Sequence, residues 1–289
     1  MKTVGIVGLG RIGTALAVSL GRHGYLVQIV RREQSSETVC PTEDSEFIVT
    51  TLEEAAKNTE VLFITTPDDI IKEIVSKLQL IDTKCTAVLH MSGSLSSKIL
   101  VPLKEQGIVI GSLHPLQSFP NVKQAVENLP GSYFTYEGDN SLLPWLSQVV
   151  DSFKGVLKVL PSPEAKVIYH AGAVIVSNYL VGLAQLGSEC LEKAGFTSEE
   201  AREALLPLMR GTMNNLLALP PAKALTGPVS RGDVGVIRSH LRAFEHHFAE
   251  VLPAYRAMAL VLASISIQSG KISEEKYKEL SLLLNGGGE

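Results

Sequence analysis

The first twenty residues, "MKTVGIVGLGRIGTALAVSL", constrain this chain more than any other stretch. A β-branched run, Thr3 to Val7, passes directly into Gly8, Gly10 and Gly13, spaced G-x-G-x-x-G, and these open an amphipathic segment. A strand that feeds a helix through glycines at this spacing is the start of a βαβ unit that binds a dinucleotide. Gly8 permits the tight turn, Gly10 lets backbone approach a pyrophosphate, and Gly13 allows helix and strand to pack closely. The helix start, Arg11 and Ile12 included, presents unpaired N–H groups and a positive dipole end to phosphate. The competing reading is a glycine-rich turn in the same fold that binds nothing.

The pattern continues to about residue 160. Strand-like runs at 26–30, 61–65, 86–91, 107–113, 131–136 and 156–160 alternate with helix-period segments at 11–23, 52–57, 68–79, 96–106 and 140–153. That alternation predicts a parallel sheet covered on both faces. Residues 33–46 are polar and read as a loop. After Pro161 the strand-like runs stop, and helical patterns follow at 163–194, 197–218, 233–249, 252–269 and 273–284. The expected fold is α/β: a Rossmann dinucleotide-binding domain over 1–160, then an all-helical domain over 161–289.

Composition excludes several other classes. With 45% hydrophobic and 19% charged residues, the chain can build a sizeable core. A net charge of −4 points to neither nucleic acid nor a membrane surface. The three cysteines are scattered and show no CxxC pair, so neither a disulfide framework nor a metal site is expected. The longest apolar stretch, 171–186, contains Ser177, Asn178 and Gln185 and reads as a core helix. The protein is expected to be cytoplasmic.

The end of the second strand discriminates between dinucleotides. An acidic residue there accepts from the ribose 2′-OH of NAD; this chain has "QIVRREQ". Arg31 and Arg32 suit a 2′-phosphate, because a guanidinium pairs bidentately with phosphate oxygens. NADP (NADPH) is therefore the expected cofactor. Thr65, Thr66 and Pro67 end a later strand where the nicotinamide ribose would lie, and Ser92 follows the next strand on the same side.

Loops at the carboxyl ends of parallel strands line the ligand crevice. "HMSGSLSS" (90–97) and "GSLHPLQSF" (111–119) are two such loops, and they nominate Ser92, Gly93, Ser94, His114 and Gln117. "EAKVIYHAGAVIVSN" (164–178) is an apolar helix that carries Lys166, His170, Ser177 and Asn178. At 100° per residue the first three share one face, and Asn178 flanks it. Reduction of a carbonyl by hydride leaves an alkoxide that needs a proton, which a partly desolvated lysine can supply. Lys166, His170 and His114 are the catalytic candidates, and Ser94, Gln117, Ser177 and Asn178 the substrate-binding ones. In "TGPVSRGD" (226–233), Arg231 can clamp a substrate carboxylate or pair with Asp233, and Asp233 can cap the next helix.

Together, the glycine fingerprint, "HMSGS", "GSLHPLQSF", "SPEAKVIYHAGAVIVSNYLVGL" and "LTGPVSRGD" resemble bacterial Rossmann-like oxidoreductases whose C-terminal half is domain of unknown function 2520. The group is similar to the superfamily of 6-phosphogluconate and β-hydroxyacid dehydrogenases, ketopantoate reductase, pyrroline-5-carboxylate reductase and prephenate dehydrogenase. In the first two, an inner helix carries Lys-x-x-x-Asn with the lysine as proton donor. Lys166 matches that lysine and His170 stands in place of the asparagine. "GSLHP" is similar to the Gly-Ser-His-Pro loop of prephenate dehydrogenases with one residue inserted.

The resemblance implies an NADP-dependent oxidoreductase that reduces the carbonyl of a small oxo acid, with ketopantoate (2-dehydropantoate) as the specific expectation. It also implies a homodimer formed through the helical domain. The alternatives are an imine reductase of the pyrroline-5-carboxylate type, which would ask less of Lys166, and a non-catalytic NADP-sensing protein.

Overall fold

The structure, a computed structural model, describes residues 1–30, 38–42 and 45–287. Its nine strands are β1 (Thr3–Val7), β2 (Leu26–Val30), β3 (Thr38–Thr42), β4 (Ser45–Thr50), β5 (Val61–Ile64), β6 (Ala87–His90), β7 (Val109–Leu116), β8 (Tyr133–Gly138) and β9 (Val156–Val159). They form one sheet in the order β3-β4-β2-β1-β5-β6-β7-β8-β9. The order reverses at β1, the topological switch that places a crevice at the carboxyl ends of the central strands. Most pairs are parallel, but β3–β4 and β7–β8 are antiparallel, so the sheet is mixed rather than uniformly parallel.

Two helical layers cover the sheet. Val4 and Ile6 of β1 point toward α1 (Arg11–Arg22), α4 (Val122–Asn128) and α5 (Leu143–Ser152), packing with Leu16, Val126 and Leu146. Val7 joins the opposite core, with Ala55 of α2 (Leu52–Asn58), Ile71 and Val75 of α3 (Asp68–Leu78), and Leu100 of a 3₁₀ segment, Ser97–Gln106. Central strands are buried on both faces, which is why they read as nearly continuous apolar runs. α2 starts with a capping box: Thr51 accepts from the Glu54 N–H, and Glu54 returns the contact to the Thr51 N–H.

Within the stretch 33–46 the described residues are not a loop, because Thr38–Thr42 pairs antiparallel with Ser45–Thr50 at the sheet edge, while 33–37, 43 and 44 lie outside the described residues. Strand pairing uses backbone groups that every non-proline residue carries, so a polar stretch can still extend a sheet. α4 was likewise not expected.

The chain divides into two compact units, Met1–Tyr179 and Leu180–Glu289, rather than at residue 160. The boundary falls inside α6 (Pro163–Lys193), because the first turns of that helix carry side chains bonded to the sheet. The second unit contains α7 (Ser198–Ala218), α8 (Pro221–Ala224), α9 (Pro228–Arg231), α10 (Val234–His247), α11 (Leu252–Gln268) and α12 (Glu274–Leu284). Its core gathers Val229, Ile237, Leu241, Ala263 and Leu280. The Pro/Gly stretch 219–233 contains two one-turn helices, α8 and α9, each begun by a proline that pre-sets φ.

Candidate active site

The glycine-rich turn is built as its sequence requires. Gly8 sits at φ +109, a conformation that side chains disfavour. A Cβ on Gly13 would lie 2.0 Å from the Gly8 carbonyl oxygen and 2.5 Å from Thr65 Oγ1, so no larger residue fits. Nothing stands within 4 Å of a Cβ on Gly10, which leaves that backbone open to approach. No side chain caps α1, so its first N–H groups are free to meet an anion.

Thr65 braces the turn by donating its hydroxyl to the Gly8 carbonyl at 2.6 Å. Thr66 Oγ1 is buried without a hydrogen-bond partner. Beside these residues lies a cavity of about 740 Å³ lined by Gly8, Leu9, Val30, Thr66, Pro67 and Ile74, among others. An open backbone at a helix start, an orphaned hydroxyl and a partly apolar cavity fit the phosphates and adenosine of a dinucleotide. Arg11 turns aside and donates to the Phe119 carbonyl at 2.8 Å, while Ile12 packs on the core. Arg31 and Arg32 lie outside the described residues.

A polar layer lies between α6 and the sheet. In the strand register, His90 of β6, Ser112 of β7 and Glu137 of β8 stand side by side. His114, two residues beyond Ser112, points to the same face and pairs in register with Thr135. From α6 come Lys166, Tyr169 and His170, whose i, i+3, i+4 spacing puts them on one helix face. Lys166 is 0% exposed and donates to Ser112 Oγ. Ser112 in turn lies 3.4 Å from His90 Nδ1. The Ser92 N–H also donates to Nδ1, so the proton of that ring sits on Nε2, which donates to the Ser96 carbonyl at 3.1 Å. Glu137 is buried, and its two oxygens accept from the Ser97 N–H at 2.8 Å and the Ser97 hydroxyl at 2.6 Å.

Burial governs the charges in this layer. Desolvation lowers Lys166 to about 8, opposed by the Glu137 and Asp68 carboxylates. Burial lowers both His90 and His114 to about 4, with the Lys166 charge pushing each in the same direction.

Above this layer two imidazoles converge. His114 Nδ1 meets the Tyr169 hydroxyl at 2.8 Å, and the rings of His114 and His170 meet edge to face at 6.2 Å. A Cβ built on Gly93 would stand 2.7 Å from His170 Nδ1 and 2.8 Å from His114 Nε2. The missing side chain of Gly93 therefore lets both ring nitrogens pack close against its backbone. His170 Nδ1 is buried and has no other partner. The loop bearing Gly93 is tied to the start of α3, because Ser92 and Ser94 donate to Asp68 Oδ2 at 2.9 and 2.6 Å.

Other residues nominated from sequence stand elsewhere. Gln117 is exposed, its oxygen accepting from the adjacent Ser118 N–H at 2.8 Å. Ser177 and Asn178 are exposed on α6, so the stripe that begins with Lys166 does not continue as one environment. A helix of 31 residues is about 46 Å long, far longer than the strands beneath it, and a shared helix face need not share surroundings. Arg231, in the second unit, donates twice to Asp233 Oδ2, at 2.9 and 2.8 Å. Asp233 occupies the N-cap position of α10 without capping it, because its carboxylate is turned to that arginine. No cluster of three metal-ligating side chains occurs among the described residues.

Sequence reading assigned no role to His90, Ser112, Glu137, Tyr169 or Asp68. A signal was present in "GSLHP": Ser112 and His114 alternate on one face of a central strand that should be apolar on both.

Comparison with known proteins matches two successive segments of the chain to two families. Residues 1–115 match the family described as Rossmann-like domain, and residues 132–261 match the family described as domain of unknown function DUF2520. No curated protein matches the chain. Among solved structures, protein TM1727 from Thermotoga maritima is 27% identical, with a TM-score of 0.73 over 92% of this chain and 98% of that one. Protein BF3122 from Bacteroides fragilis is 23% identical, with a TM-score of 0.65 over 92% and 98% of the two chains. Pyrroline carboxylate reductase from Plasmodium falciparum, solved with NADP bound, is 14% identical, with a TM-score of 0.58 over 91% and 98%. The last two likenesses show a shared fold. The chain thus carries a match to the Rossmann-like domain followed by a match to DUF2520.

Proposed function

We propose that this chain is an NADP-dependent oxidoreductase that reduces the carbonyl of a small oxo acid, with ketopantoate as the specific candidate. One observation carries the reading: the two imidazole nitrogens converge beside Gly93, at the same carboxyl ends of the central strands that carry the glycine-rich turn. A structural neighbour with NADP bound supports the choice of cofactor, as does the open backbone at Gly10.

When bound, NADPH supplies the hydride. Gly8, Gly10 and Gly13 hold its phosphates on the start of α1, and Thr66 offers its unpaired hydroxyl. The substrate oxygen is held by His114 Nε2 and His170 Nδ1, which converge beside Gly93. Two donors aimed at an oxygen that becomes an alkoxide stabilise charge as it develops. His170 delivers the proton, and His114, held neutral by burial, keeps the oxygen in place. Lys166 is enclosed behind them and does not reach substrate in this arrangement. That enclosure is also what favours the second reading, reduction of a C=N bond, which needs no proton on oxygen.

The test is NADPH oxidation with ketopantoate, tartronate semialdehyde and pyrroline-5-carboxylate, together with prephenate and NADP⁺. Turnover of an oxo acid supports the main reading, and turnover of only the cyclic imine supports the second. Tight NADPH binding without any turnover would replace both with the sensing role.

We also propose that the chain forms a homodimer through its helical part. α7 has 21 residues, of which only Ala201 is buried, and α6 buries only Lys166. Val176, Val181, Leu208 and Leu217 are 72, 72, 65 and 83% exposed. Covering these and the neighbouring leucines of both helices would bury an area on the order of the ~800 Å² per partner of a standard interface. By length and composition α6 could also cross a membrane. Sedimentation of wild type and Leu217→Glu discriminates: a dimer that the glutamate dissociates supports the proposal, and a monomer that partitions into vesicles overturns it.

A further inference from the structure

Lys166 presents a physical problem that the reaction does not solve. A buried ammonium is costly unless its charge is answered. Its hydrogen bond goes to a neutral hydroxyl, Ser112 Oγ, and among the described residues no carboxylate lies within ion-pair distance. Glu137 stands beside Ser112 in the strand register, on the same face, and is also buried. Both of its oxygens are occupied by Ser97.

The geometry points to Lys166 as a positioning residue that never touches substrate and acts on it through His114, with Glu137 as the fixed counter-charge that lets the lysine remain there. This rests on the reading of His114 and His170 as the substrate-facing pair. The register carries the argument. Ser112, which receives the lysine, is two residues from His114 on one face of one strand. Tyr169, three residues from Lys166 on α6, bonds His114 Nδ1. The lysine and the tyrosine thus grip the same strand from one helix face, and the positive charge stands behind the imidazole.

The groups that face Lys166 are Glu137 from β8, Asp68 from α3, His90 from β6 and His114 from β7, with Tyr169 and His170 on its own helix. Its charge opposes protonation of both His90 and His114, and Glu137 opposes loss of its own proton. A histidine kept neutral near pH 7 remains a directional hydrogen-bond donor instead of becoming a competing cation.

The experiment is NMR titration of the histidine ring and lysine ¹⁵Nζ signals of the full chain, without NADPH or substrate. Its outcome is therefore independent of whether the chain turns over any oxo acid. Lys166→Met should raise the His114 midpoint from about 4 by at least ~0.5 pH unit. Lys166→Arg should keep it low. Glu137→Gln should lower the Lys166 midpoint below about 8. A His114 midpoint unmoved by Lys166→Met, or a Lys166 midpoint unmoved by Glu137→Gln, overturns the inference. Should Lys166→Met fail to fold, the Lys166 titration in Glu137→Gln decides alone.

Discussion

Replacing Gly93 by alanine tests the site with one methyl group. Gly93 does not have a positive φ, so alanine meets no backbone penalty there. Any loss must come from the methyl itself, which would stand 2.7 Å from His170 Nδ1, 2.8 Å from His114 Nε2 and 3.0 Å from His170 Cε1. Real Cβ atoms do not approach that closely, so both rings must turn away by several tenths of an ångström. Overpacking of this kind costs about 1–3 kcal/mol. At roughly 2–4 °C per kcal/mol for a unit of this size, the melting temperature should fall by several degrees without loss of the fold.

The catalytic effect should be larger. The methyl displaces both donors, and loss of such a donor costs roughly 10²–10³ in rate. Gly93 does not line the dinucleotide cavity, so NADPH affinity should stay within twofold. The assay is kcat/KM for NADPH oxidation beside NADPH titration and thermal unfolding. A Gly93→Ala enzyme that folds, binds NADPH and keeps half or more of its kcat/KM would refute the assignment of the histidine pair.

Three further outcomes are expected. Gly13→Ala should abolish NADPH binding measured by fluorescence, because its Cβ would meet the Gly8 backbone oxygen at 2.0 Å and backbone cannot yield as a side chain does. Thr65→Val removes the 2.6 Å bond that braces that oxygen and should weaken NADPH binding by roughly fivefold, the worth of a ~1 kcal/mol hydrogen bond. Stability should also fall as pH drops from 6.5 toward 4. Over that range the unfolded chain protonates His90 and His114 while the folded chain does not, so the unfolded state binds more protons. Each histidine contributes a loss on the order of 3 kcal/mol by pH 4, and denaturant titrations in which His90→Asn retains the full wild-type slope would contradict it.

What could be read from the sequence followed local rules. The glycine spacing after β1 identified its turn, because Gly8 and Gly13 answer to contacts within a few residues and to one neighbouring strand. The change from strands to long helices near residue 160 was visible because periodicities of 2 and 3.6 differ in any window of ten residues. The antiparallel pairing of Thr38–Thr42 with Ser45–Thr50 was not visible, since it is carried by backbone rather than by a hydrophobic pattern.

Lys166, His170 and His114 were nominated by residue type and helical spacing, but their arrangement depended on the sheet. Helical geometry put Lys166, His170 and Ser177 on one face, and that was as far as it reached. Only the packing of α6 on β7 buried the first, half-buried the second and left the third in solvent. His90, Ser112 and Glu137 are separated by 22 and 25 positions in the chain, yet strand register makes them neighbours. No window along the sequence contains that row. Hydrogen bonds between strands create it, and they are also what brings a glycine at position 93 beneath two imidazoles from β7 and α6.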